Sequence, residues 1–444
     1  MKLSREVKGM FLRQMYHVVE GFYWQRRKRQ HIEKRQMKIL RQVLNRSYGR
    51  VPFYRGNQAY ATPIHSLRDM EKLPMISKKQ LQQNGIEAFR DPLYLEDGKA
   101  IQCITSGSTG EPTKIYHDRG CFDYHTAVGV RRVLATGKYK PTYRLLHIRP
   151  VPMKKRLFEY IGLFRRDIIP ASLPIEAIKD IILKVKPDGL VAYPVYLRDL
   201  IASLSSGELD TIRTHLKIIF SESEMLTQSH RAFIESSFGV EIFDDYSAYE
   251  TLSITFECAY HRHHVVEDRL YLEIVNDEGI PVRDGEEGNI VMTSFMEKAM
   301  PLIRYSIGDR GILNNSPCPC GRTFKTLKLT QGRTEDYIML DNGEKIYSAT
   351  ILHMAAQLKG VREVYVYQAA SGDVTIYYVP LEDRVEDQEI TDFINSYFSQ
   401  HASVPCSIHV CRSNAIPRTQ GGKARLIYSE LANSPAPMGL TAQS

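Results

Sequence analysis

Residues 105–114 read Thr-Ser-Gly-Ser-Thr-Gly-Glu-Pro-Thr-Lys and follow a short apolar run that is typical of a β-strand. Glycines let a backbone wrap closely round an anion, hydroxyl and N–H groups donate to phosphate oxygens, and a nearby lysine balances the charge. The alternative, a Ser/Gly-rich surface loop, rarely carries the lysine as well. The stretch therefore predicts a phosphate-binding loop with these contacts: Thr105, Ser106, Gly107, Ser108, Thr109, Gly110 and Lys114. Its spacing lacks the Gly-Lys-Ser/Thr ending of a P-loop, which argues against an ordinary P-loop kinase or ATPase.

After this loop, apolar segments of two different periods alternate along the chain. Strand-like runs lie at 145–148, 190–193, 216–220 and 241–243, and amphipathic helical stretches lie at 175–185 and 227–238. This alternation predicts parallel strands joined by helices. Two alternating runs, at 270–275 and 289–293, flank a turn-rich segment and predict an antiparallel extension.

The pattern restarts beyond Gly332. A helix is predicted at 349–358, strands at 363–368 and 374–379, a second helix at 387–399 and a last strand at 407–411. The predicted fold class is therefore α/β: a large mixed α/β N-terminal domain with a parallel-sheet core (1–332), joined by a hinge to a small α+β C-terminal domain (333–432). Residues 433–444, rich in Ser, Pro and Ala, are predicted to be a disordered tail.

Composition and charge restrict the class of protein. The chain has 444 residues and a formal net charge of +8, and much of the excess lies in a basic stretch at 26–41 whose charges alternate with apolar residues at helical spacing. Because no stacking aromatic residues or groove-reading motif accompany them, the solvated face of amphipathic helices is favoured over a surface for nucleic acid or acidic lipid. No apolar run is long enough for a secretory signal or a membrane span. Cys318 and Cys320, separated by one proline, suit metal ligation better than a disulfide, so we expect a reducing, cytoplasmic compartment.

The loop and four later segments resemble, in the same order, the motifs of the adenylate-forming superfamily, which contains acyl-CoA ligases, luciferases and adenylation domains of peptide synthetases. The segment 245–250, Asp-Tyr-Ser-Ala-Tyr-Glu, is similar to the superfamily's aromatic segment. The resemblance implies that Tyr246 stacks beside adenine, with Asp245 and Ser247 also at the nucleotide, and that Glu250 binds Mg²⁺.

The remaining segments resemble the rest of the superfamily's nucleotide site. Residues 304–309 end in Asp309, for which the resemblance implies a grip on the ribose hydroxyls. Residues 332–336 resemble the interdomain hinge, which implies that Arg333 reaches the ribose and that Glu335 and Asp336 belong to the hinge. Residues 417–423 resemble the C-terminal loop, whose Lys423 would contact the reacting carboxylate and the α-phosphate.

The chemistry that the resemblance implies explains this set of residues. Attack of a carboxylate on the α-phosphate of ATP brings two anions together, so the site must supply cations. Mg²⁺ on Glu250 and the ammonium of Lys423 would do so, which makes these two residues the catalytic candidates. The expected reaction is activation of a carboxylic acid, an aromatic acid being the family default, to an acyl-adenylate.

Other residues resemble the phenylacetate-CoA ligase branch of the superfamily. Residues 51–55 read Val-Pro-Phe-Tyr-Arg, as at the head of that branch, and residues 221–226 resemble its Ser-Glu-Met-Leu segment, with Glu224 at the nucleotide. Some members of the branch contain a zinc ion. The matching set here is a structural Zn²⁺ site formed by Cys258, His264, Cys318 and Cys320, with His261 and His263 as competing ligands.

The chain departs from the branch where its acyl acceptor is expected to bind. Residues 341–345 read Asp-Asn-Gly-Glu-Lys in place of an Arg-Gly-x-Asn loop, and Tyr249 stands where a small residue is usual, which would shorten the acyl pocket. These features resemble relatives from capsular polysaccharide genes and the deazaflavin-adenylating synthetases. The acceptor thus stays open between CoA, another thiol and an amine. The alternatives are an AMP transferase and a non-catalytic nucleotide-binding protein, and retention of Lys423, Glu250 and Asp309 argues against the latter. The oligomeric state also stays open, a homodimer included.

Overall fold

The computed structural model describes residues 5–96, 98–104, 113–149, 156–171, 173–222, 224–331, 337–342, 345–381, 386–401, 407–417 and 426–431. The chain begins with helices and short 3₁₀ segments: α1 (Arg5–Trp24), α2 (Arg29–Arg50), α3 (Pro52–Arg55), Gln58–Ala61, Leu67–Lys72, α4 (Lys78–Asn84), Ile86–Phe89 and Pro92–Tyr94. Apolar residues at helical spacing, among them Ile32, Leu40 and Val43, bury one face of α2.

The basic stretch of the N-terminal helices is partly paired with the body of the protein. The two guanidinium nitrogens of Arg29 donate to the two carboxylate oxygens of buried Glu267 at 2.6 and 2.7 Å. Arg35 donates to Glu20 and to the carbonyl oxygen of Asp268. These charges therefore do more than face solvent, because the bidentate pair ties α2 to the rest of the large domain.

A hairpin and a parallel sheet with helices on both faces form the centre of the large domain. Its elements are β1 (Ala100–Ile104), β2 (Lys114–Asp118), α5 (Arg119–Ala135), β3 (Arg144–Arg149), α6 (Leu157–Tyr160), β4 (Arg165–Pro170), α7 (Ile175–Val185), β5 (Gly189–Ala192), α8 (Pro194–Ser203), α9 (Ser206–His215), β6 (Ile218–Ser221), α10 (Gln228–Phe238) and β7 (Ile242–Phe243). The described strands of the sheet pair in the order β4-β3-β5-β6-β7, all in parallel.

Alternate residues of the parallel strands face different helices. Leu146 and Ile148 of β3 pack with residues of α7 and α8, whereas Leu145 packs with Val133 of α5. The odd-numbered positions of β3 therefore face α5. Because all these strands run in the same direction, their carboxyl ends share one edge, where open α/β sheets bind ligands.

A mostly antiparallel region follows: β8 (Ser247–Ala248), β9 (Leu252–Ser253), β10 (Thr255–Glu257), β11 (His263–Val265), β12 (Leu270–Val275), β13 (Glu287–Ser294), β14 (Tyr305–Asn314) and β15 (Thr326–Gln331). The strands β8 and β9 pair in a small hairpin, and the others pair antiparallel in the order β10-β11-β15-β14-β13-β12. Buried Leu272, Ile274 and Ile290 belong to the core of this larger sheet.

The C-terminal part has its own sheet and core. Its elements are β16 (Tyr337–Met339), β17 (Lys345–Tyr347), α11 (Ser348–Gln357), β18 (Val361–Gln368), β19 (Val374–Pro380), α12 (Asp387–His401), β20 (Ile408–Arg412) and β21 (Ile427–Ser429). The larger sheet has the order β20-β19-β18-β21, and Ile351, Val366 and Ile394 are buried in the core beside it. The C-terminal part contacts the large domain through Arg362 of β18, whose Nε lies 3.4 Å from Asp199 Oδ1 of α8.

The predicted fold class is confirmed. The helix predicted at 175–185 coincides with α7, while the strand predicted at 216–220 begins only at Ile218, because the N–H of Leu216 still bonds to the carbonyl oxygen of Ile212 in α9. The predicted hinge at 332–336 and tail at 433–444 lie outside the described residues, so the domain boundaries stay predictions. Among the described helices, none combines the length and the hydropathy that crossing a membrane requires.

Candidate active site

The carboxyl edge of the parallel sheet brings together side chains from α5 and from the ends of three strands. Arg132 of α5 pairs with Asp245, which follows β7, and lies 3.8 Å from Glu222, which follows β6. Nε of Arg149, the last residue of β3, lies 2.8 Å from Glu222 Oε1 and forms an ion pair with it. Burial raises the pKa of Asp245, and Arg132 opposes that rise. These ion pairs link the ends of the strands at the edge where a doubly wound sheet binds its ligand.

Tyr246 and Asp309 meet above this edge, although 63 positions separate them in the sequence. The hydroxyl of Tyr246 donates to Oδ2 of buried Asp309 in β14. Two residues that the sequence assigned to one nucleotide site therefore lie side by side. Ser247, the residue after Tyr246, begins β8 and pairs with Ser253 of β9.

Glu250 lies in the turn of the β8–β9 hairpin with its side chain buried. The hydroxyl of Tyr305, at the start of β14, donates to Glu250 Oε1 at 3.3 Å. Tyr305 is held in turn by its neighbour Arg304, which donates to the carbonyl oxygens of Leu73 and Gly279 at 2.7 and 2.8 Å. The carboxylate is thus oriented from β14, the strand that also carries Asp309.

Buried side chains hold the backbone on both sides of Glu250. Nε2 of His117 lies 2.7 Å from the carbonyl oxygen of Tyr249, and Nε of Arg269 donates to the carbonyl oxygen of Thr251 at 2.9 Å. Because a carbonyl oxygen only accepts, Nε2 of His117 carries the proton. Burial lowers the pKa of His117, which keeps its imidazole neutral. We call His117 and Arg269 the backbone clamp.

Arg269 also satisfies a buried cluster behind the clamp. Cys121 Sγ lies 3.2 Å from Glu297 Oε1, and Arg269 donates from Nη2 both to Cys121 Sγ, at 3.1 Å, and to Glu297. His117, Cys121 and Glu297 have the donor types of a metal site. The guanidinium of Arg269 already supplies the cation there, so the cluster is a structural one.

The other predicted nucleotide contacts fall into two groups. Glu224 follows β6 and donates its N–H to the carbonyl oxygen of Glu222 at 2.9 Å, and Lys114 begins β2 with an exposed side chain. The following predicted site residues lie outside the described residues: Thr105, Ser106, Gly107, Ser108, Thr109, Gly110, Arg333, Glu335, Asp336 and Lys423.

Four predicted zinc ligands come together between β10, β11 and the segment before β15. The ligand atoms of Cys258, His264, Cys318 and Cys320 all lie within 4.8 Å of one another. Cys258 Sγ is 3.7 Å from Cys318 Sγ, and Cys320 Sγ is 3.2 Å from His264 Nε2. Tetrahedral zinc with Zn–S bonds of about 2.3 Å separates two thiolates by about 3.8 Å. The donor set and its spacing fit Zn²⁺.

The structure also separates the three histidines of this region. Nδ1 of His264 lies 2.9 Å from the carbonyl oxygen of Phe324, which directs Nε2 toward the cysteines. His261 and His263 instead lie 3.2 Å from the two carboxylate oxygens of Glu257. His264 is therefore the histidine of the cluster, and the two competing residues belong to a carboxylate network next to it.

Comparisons with known proteins agree with this geometry. No family model matches the chain. It is 24% identical over 430 residues to a phenylacetate-coenzyme A ligase of Aromatoleum evansii, across 88% of this chain and 93% of that enzyme. It is 23% identical over 391 residues to protein CapK of Staphylococcus aureus, across 82% of this chain and 81% of CapK. A crystal structure of 2-hydroxyisobutyryl-CoA ligase in the postadenylation state, in complex with R3-HIB-AMP, has a TM-score of 0.73 with 19% identity and covers 91% of each chain.

These relatives match the adenylate-forming superfamily that the sequence motifs resemble. The similarity to phenylacetate-coenzyme A ligases and to CapK agrees with the resemblance to the phenylacetate-CoA ligase-like branch that the motifs predicted. Tyr246, Glu250 and Asp309, at the carboxyl edge of the parallel sheet, form the candidate active site. Their individual roles stay predictions.

Some residues of the site lie outside every motif that the sequence analysis identified. His117 and Arg132 reach their partners across 132 and 113 positions of the chain. Spacing within a motif cannot reveal such pairs, because only the fold brings them together. Of the variant segment 341–345, Asp341 and Asn342 are exposed in the turn after β16, and Gly343 and Glu344 lie outside the described residues.

Proposed function

We propose that the protein uses ATP to convert a carboxylic acid into an acyl-adenylate, releases pyrophosphate, and transfers the acyl group to CoA. One observation carries this proposal most directly. Tyr246, Asp309 and Glu250 converge at the carboxyl edge of the sheet, in a chain whose relatives include phenylacetate-coenzyme A ligases. A nucleotide and an acid bound at one edge would be held ready for in-line attack.

Each residue has a role that its surroundings support. Glu250 is a buried carboxylate with one oxygen oriented by Tyr305, which suits the one or two carboxylates by which proteins usually hold Mg²⁺ beside substrate phosphates. Bound there, Mg²⁺ would neutralise charge on the phosphates. Asp309 would accept from the ribose hydroxyls, and Lys423 would donate to the carboxylate and the α-phosphate. No side chain has to act as a nucleophile, because the substrate's own carboxylate attacks.

The acceptor that we favour is CoA. The curated relatives include phenylacetate-coenzyme A ligases that align with most of the chain. The exposed acidic turn at Asp341 changes the charge near the place where that branch has an arginine-containing loop. An amine or a different thiol is therefore the acceptor to be tested beside CoA.

We assign a structural zinc ion to Cys258, His264, Cys318 and Cys320. A closed set with three thiolates and one imidazole leaves no position for substrate, which is typical of structural sites. The thiols are free of disulfides, which supports a reducing compartment such as the cytoplasm.

ATP–pyrophosphate exchange tests the proposed function. We expect exchange only when one class of acid is added from a panel of aryl, alkyl and amino acids, and thioester formation when CoA follows. Lys423→Ala should lower kcat for exchange by roughly 10²-fold or more, because a cation is lost where charge develops. ATP binding, measured by calorimetry, should be kept.

The matched control is Lys34→Ala, which removes an exposed lysine from α2. Exchange in the control should equal that of the unchanged protein. The proposal is wrong if no acid supports exchange while AMP becomes covalently attached to a product. Full activity of Lys423→Ala would remove that lysine from the catalytic set.

The backbone clamp gives a separate prediction. His117→Leu removes the donor to the Tyr249 carbonyl, and an unsatisfied buried acceptor costs roughly 1–3 kcal/mol. We expect the turn that carries Glu250 to shift, so that kcat falls about tenfold and the Mg²⁺ concentration for half-maximal exchange rises several-fold. His31→Leu, on the exposed face of α2, is the control. Unchanged Mg²⁺ dependence of His117→Leu would show that the clamp has no positioning role.

A further inference from the structure

A group of basic side chains lies between α5 and the parallel sheet, next to the candidate active site. We call it the basic layer: Arg132 of α5, His147 and Arg149 of β3, and Arg156, which precedes α6. His147 and Arg149 are odd-numbered positions of β3 and so face α5, as Leu145 does. The guanidinium of Arg156 lies over Gly129 of α5, where a Cβ would be 3.9 Å from Nη1.

The layer adjoins the residues assigned to adenylation. Arg132 pairs with Asp245, the neighbour of Tyr246. One helical turn before Gly129, Nδ1 of His125 lies 3.0 Å from Ser253 Oγ, in the hairpin that carries Glu250. An acid whose carboxylate lies beside Glu250 would therefore extend its other end toward the basic layer.

The positive charges of the layer are unequally paired. Arg132 and Arg149 share Glu222, and Arg166 of β4 donates from Nε to Glu159 at 2.8 Å. Arg156 has no ion pair with any described residue. Burial, followed by the neighbouring Arg166, lowers the pKa of Arg156 to about 9. The charge of Glu159 also acts on Arg156, but this carboxylate forms its ion pair with Arg166, so Arg156 has no carboxylate of its own among the described residues.

His147 adds a second, independent sign of an absent partner. Its side chain is 5% exposed, and neither ring nitrogen has a hydrogen-bond partner among the described residues. Buried polar groups in folded proteins are nearly always hydrogen-bonded. Burial, followed by the nearby arginines, lowers the pKa of His147 well below its usual value. A neutral imidazole keeps one N–H to donate.

A plain aryl or alkyl acid would leave these groups unsatisfied against an apolar surface, which is costly for a polar group and more so for a charge. We propose that the activated acid carries a second anionic group, a carboxylate or a phosphate, remote from the reacting carboxylate, and that Arg156 and the N–H of His147 bind it. A guanidinium fork suits either anion, because both accept two parallel hydrogen bonds. This inference rests on the proposed function.

Matched acids of equal chain length test the substrate class. The panel contains a monocarboxylic acid, its ω-carboxylate and its ω-phosphate, each assayed in ATP–pyrophosphate exchange. We expect kcat/KM for at least one dianionic acid to exceed that for the monoanionic acid by about 10- to 100-fold. Comparison of the carboxylate and phosphate arms identifies the group. Equal kcat/KM for all three acids would overturn the inference.

Substitution of Arg156 tests the residue. Arg156→Met should lower the preference for the dianionic acid by about 10- to 100-fold, because KM for that acid rises. KM for ATP and kcat/KM for the monoanionic acid should stay unchanged. Arg156→Lys should keep part of the preference. The control is Arg165→Met, which removes the exposed arginine next to Arg166 at the start of β4. It should leave the acid preference and both KM values unchanged. If Arg156→Met raises KM for ATP or pyrophosphate and leaves acid preference intact, the layer serves the phosphates of ATP and the inference is wrong.

Equilibrium binding separates this inference from the proposed function. Calorimetry with each acid in the presence of AMP requires no turnover. Tight binding of a dianionic acid that Arg156→Met weakens supports the inference even if no exchange occurs, in which case only the proposed function fails. Exchange with monoanionic acids alone would leave the function standing and overturn the inference, as would the absence of binding by both dianionic acids.

Discussion

Glu250→Gln is expected to lower kcat for acid-dependent ATP–pyrophosphate exchange by roughly 10²- to 10³-fold, because it removes the carboxylate assigned to Mg²⁺ at the point where negative charge develops. The substitution keeps the size of the side chain and an oxygen that can accept from Tyr305. Folding and the thermal midpoint should therefore change little. The loss should be larger at low Mg²⁺ concentration.

The control for this variant is Glu278→Gln, which neutralises an exposed glutamate in the turn after β12. It should keep full exchange at every Mg²⁺ concentration. If Glu250→Gln retained activity within about threefold of the unchanged protein, Glu250 would not be the metal-binding residue. The assignment of the β8–β9 hairpin to the active site would then lose its main support.

Cys320→Ser is the second substitution for which we expect a large effect, on stability and not on chemistry. The purified protein should contain about one zinc ion per chain, and the variant should contain almost none, because a three-ligand set binds the ion far more weakly. The first thermal unfolding transition should fall by roughly 5–10 °C. Zinc content by atomic absorption and a calorimetric scan measure both effects.

The structure explains why loss of the zinc ion would destabilise more than the four-residue cluster. Cys318 and Cys320 lie between β14 and β15, and the N–H of Thr323 in the same segment donates to the carbonyl oxygen of Gln25, just after α1, at 2.8 Å. Release of the segment would loosen β14, which carries Asp309. Cys411→Ser, in β20, is the matched control and should keep both zinc and stability. A protein without zinc, or a Cys320→Ser variant of unchanged stability, would contradict the assignment.

The sequence predicted what is encoded locally. The α7 helix could be predicted to the residue because its apolar positions recur at helical spacing, and Tyr246, Glu250 and Asp309 could be named because each lies in a short motif. The choice among the histidines was harder. His263 and His264 are adjacent in β11 and so point to opposite faces of the sheet, and spacing alone does not say which face meets the cysteines.

Contacts between distant segments could not be predicted in this way. The backbone clamp joins Glu250 to residues of β2 and of the segment before β12, and the basic layer joins α5 to β3. In the sequence, a single arginine or histidine of a helix or strand cannot be distinguished from an ordinary surface residue. Its role becomes visible only when the structure shows which residues surround it. The basic stretch of α2 illustrates this, since Arg29 pairs with buried Glu267, which lies 238 positions later in the sequence.

Direct detection of the intermediate tests the central claim. The protein is incubated with ATP, Mg²⁺ and the acid that supports exchange, without CoA, and the quenched mixture is analysed by mass spectrometry. We predict an acyl-adenylate in amounts approaching the enzyme concentration, together with pyrophosphate, and its conversion to an acyl-CoA thioester with release of AMP when CoA is added. Formation of ADP, or of AMP joined to the substrate through a group other than its carboxylate, would contradict the account.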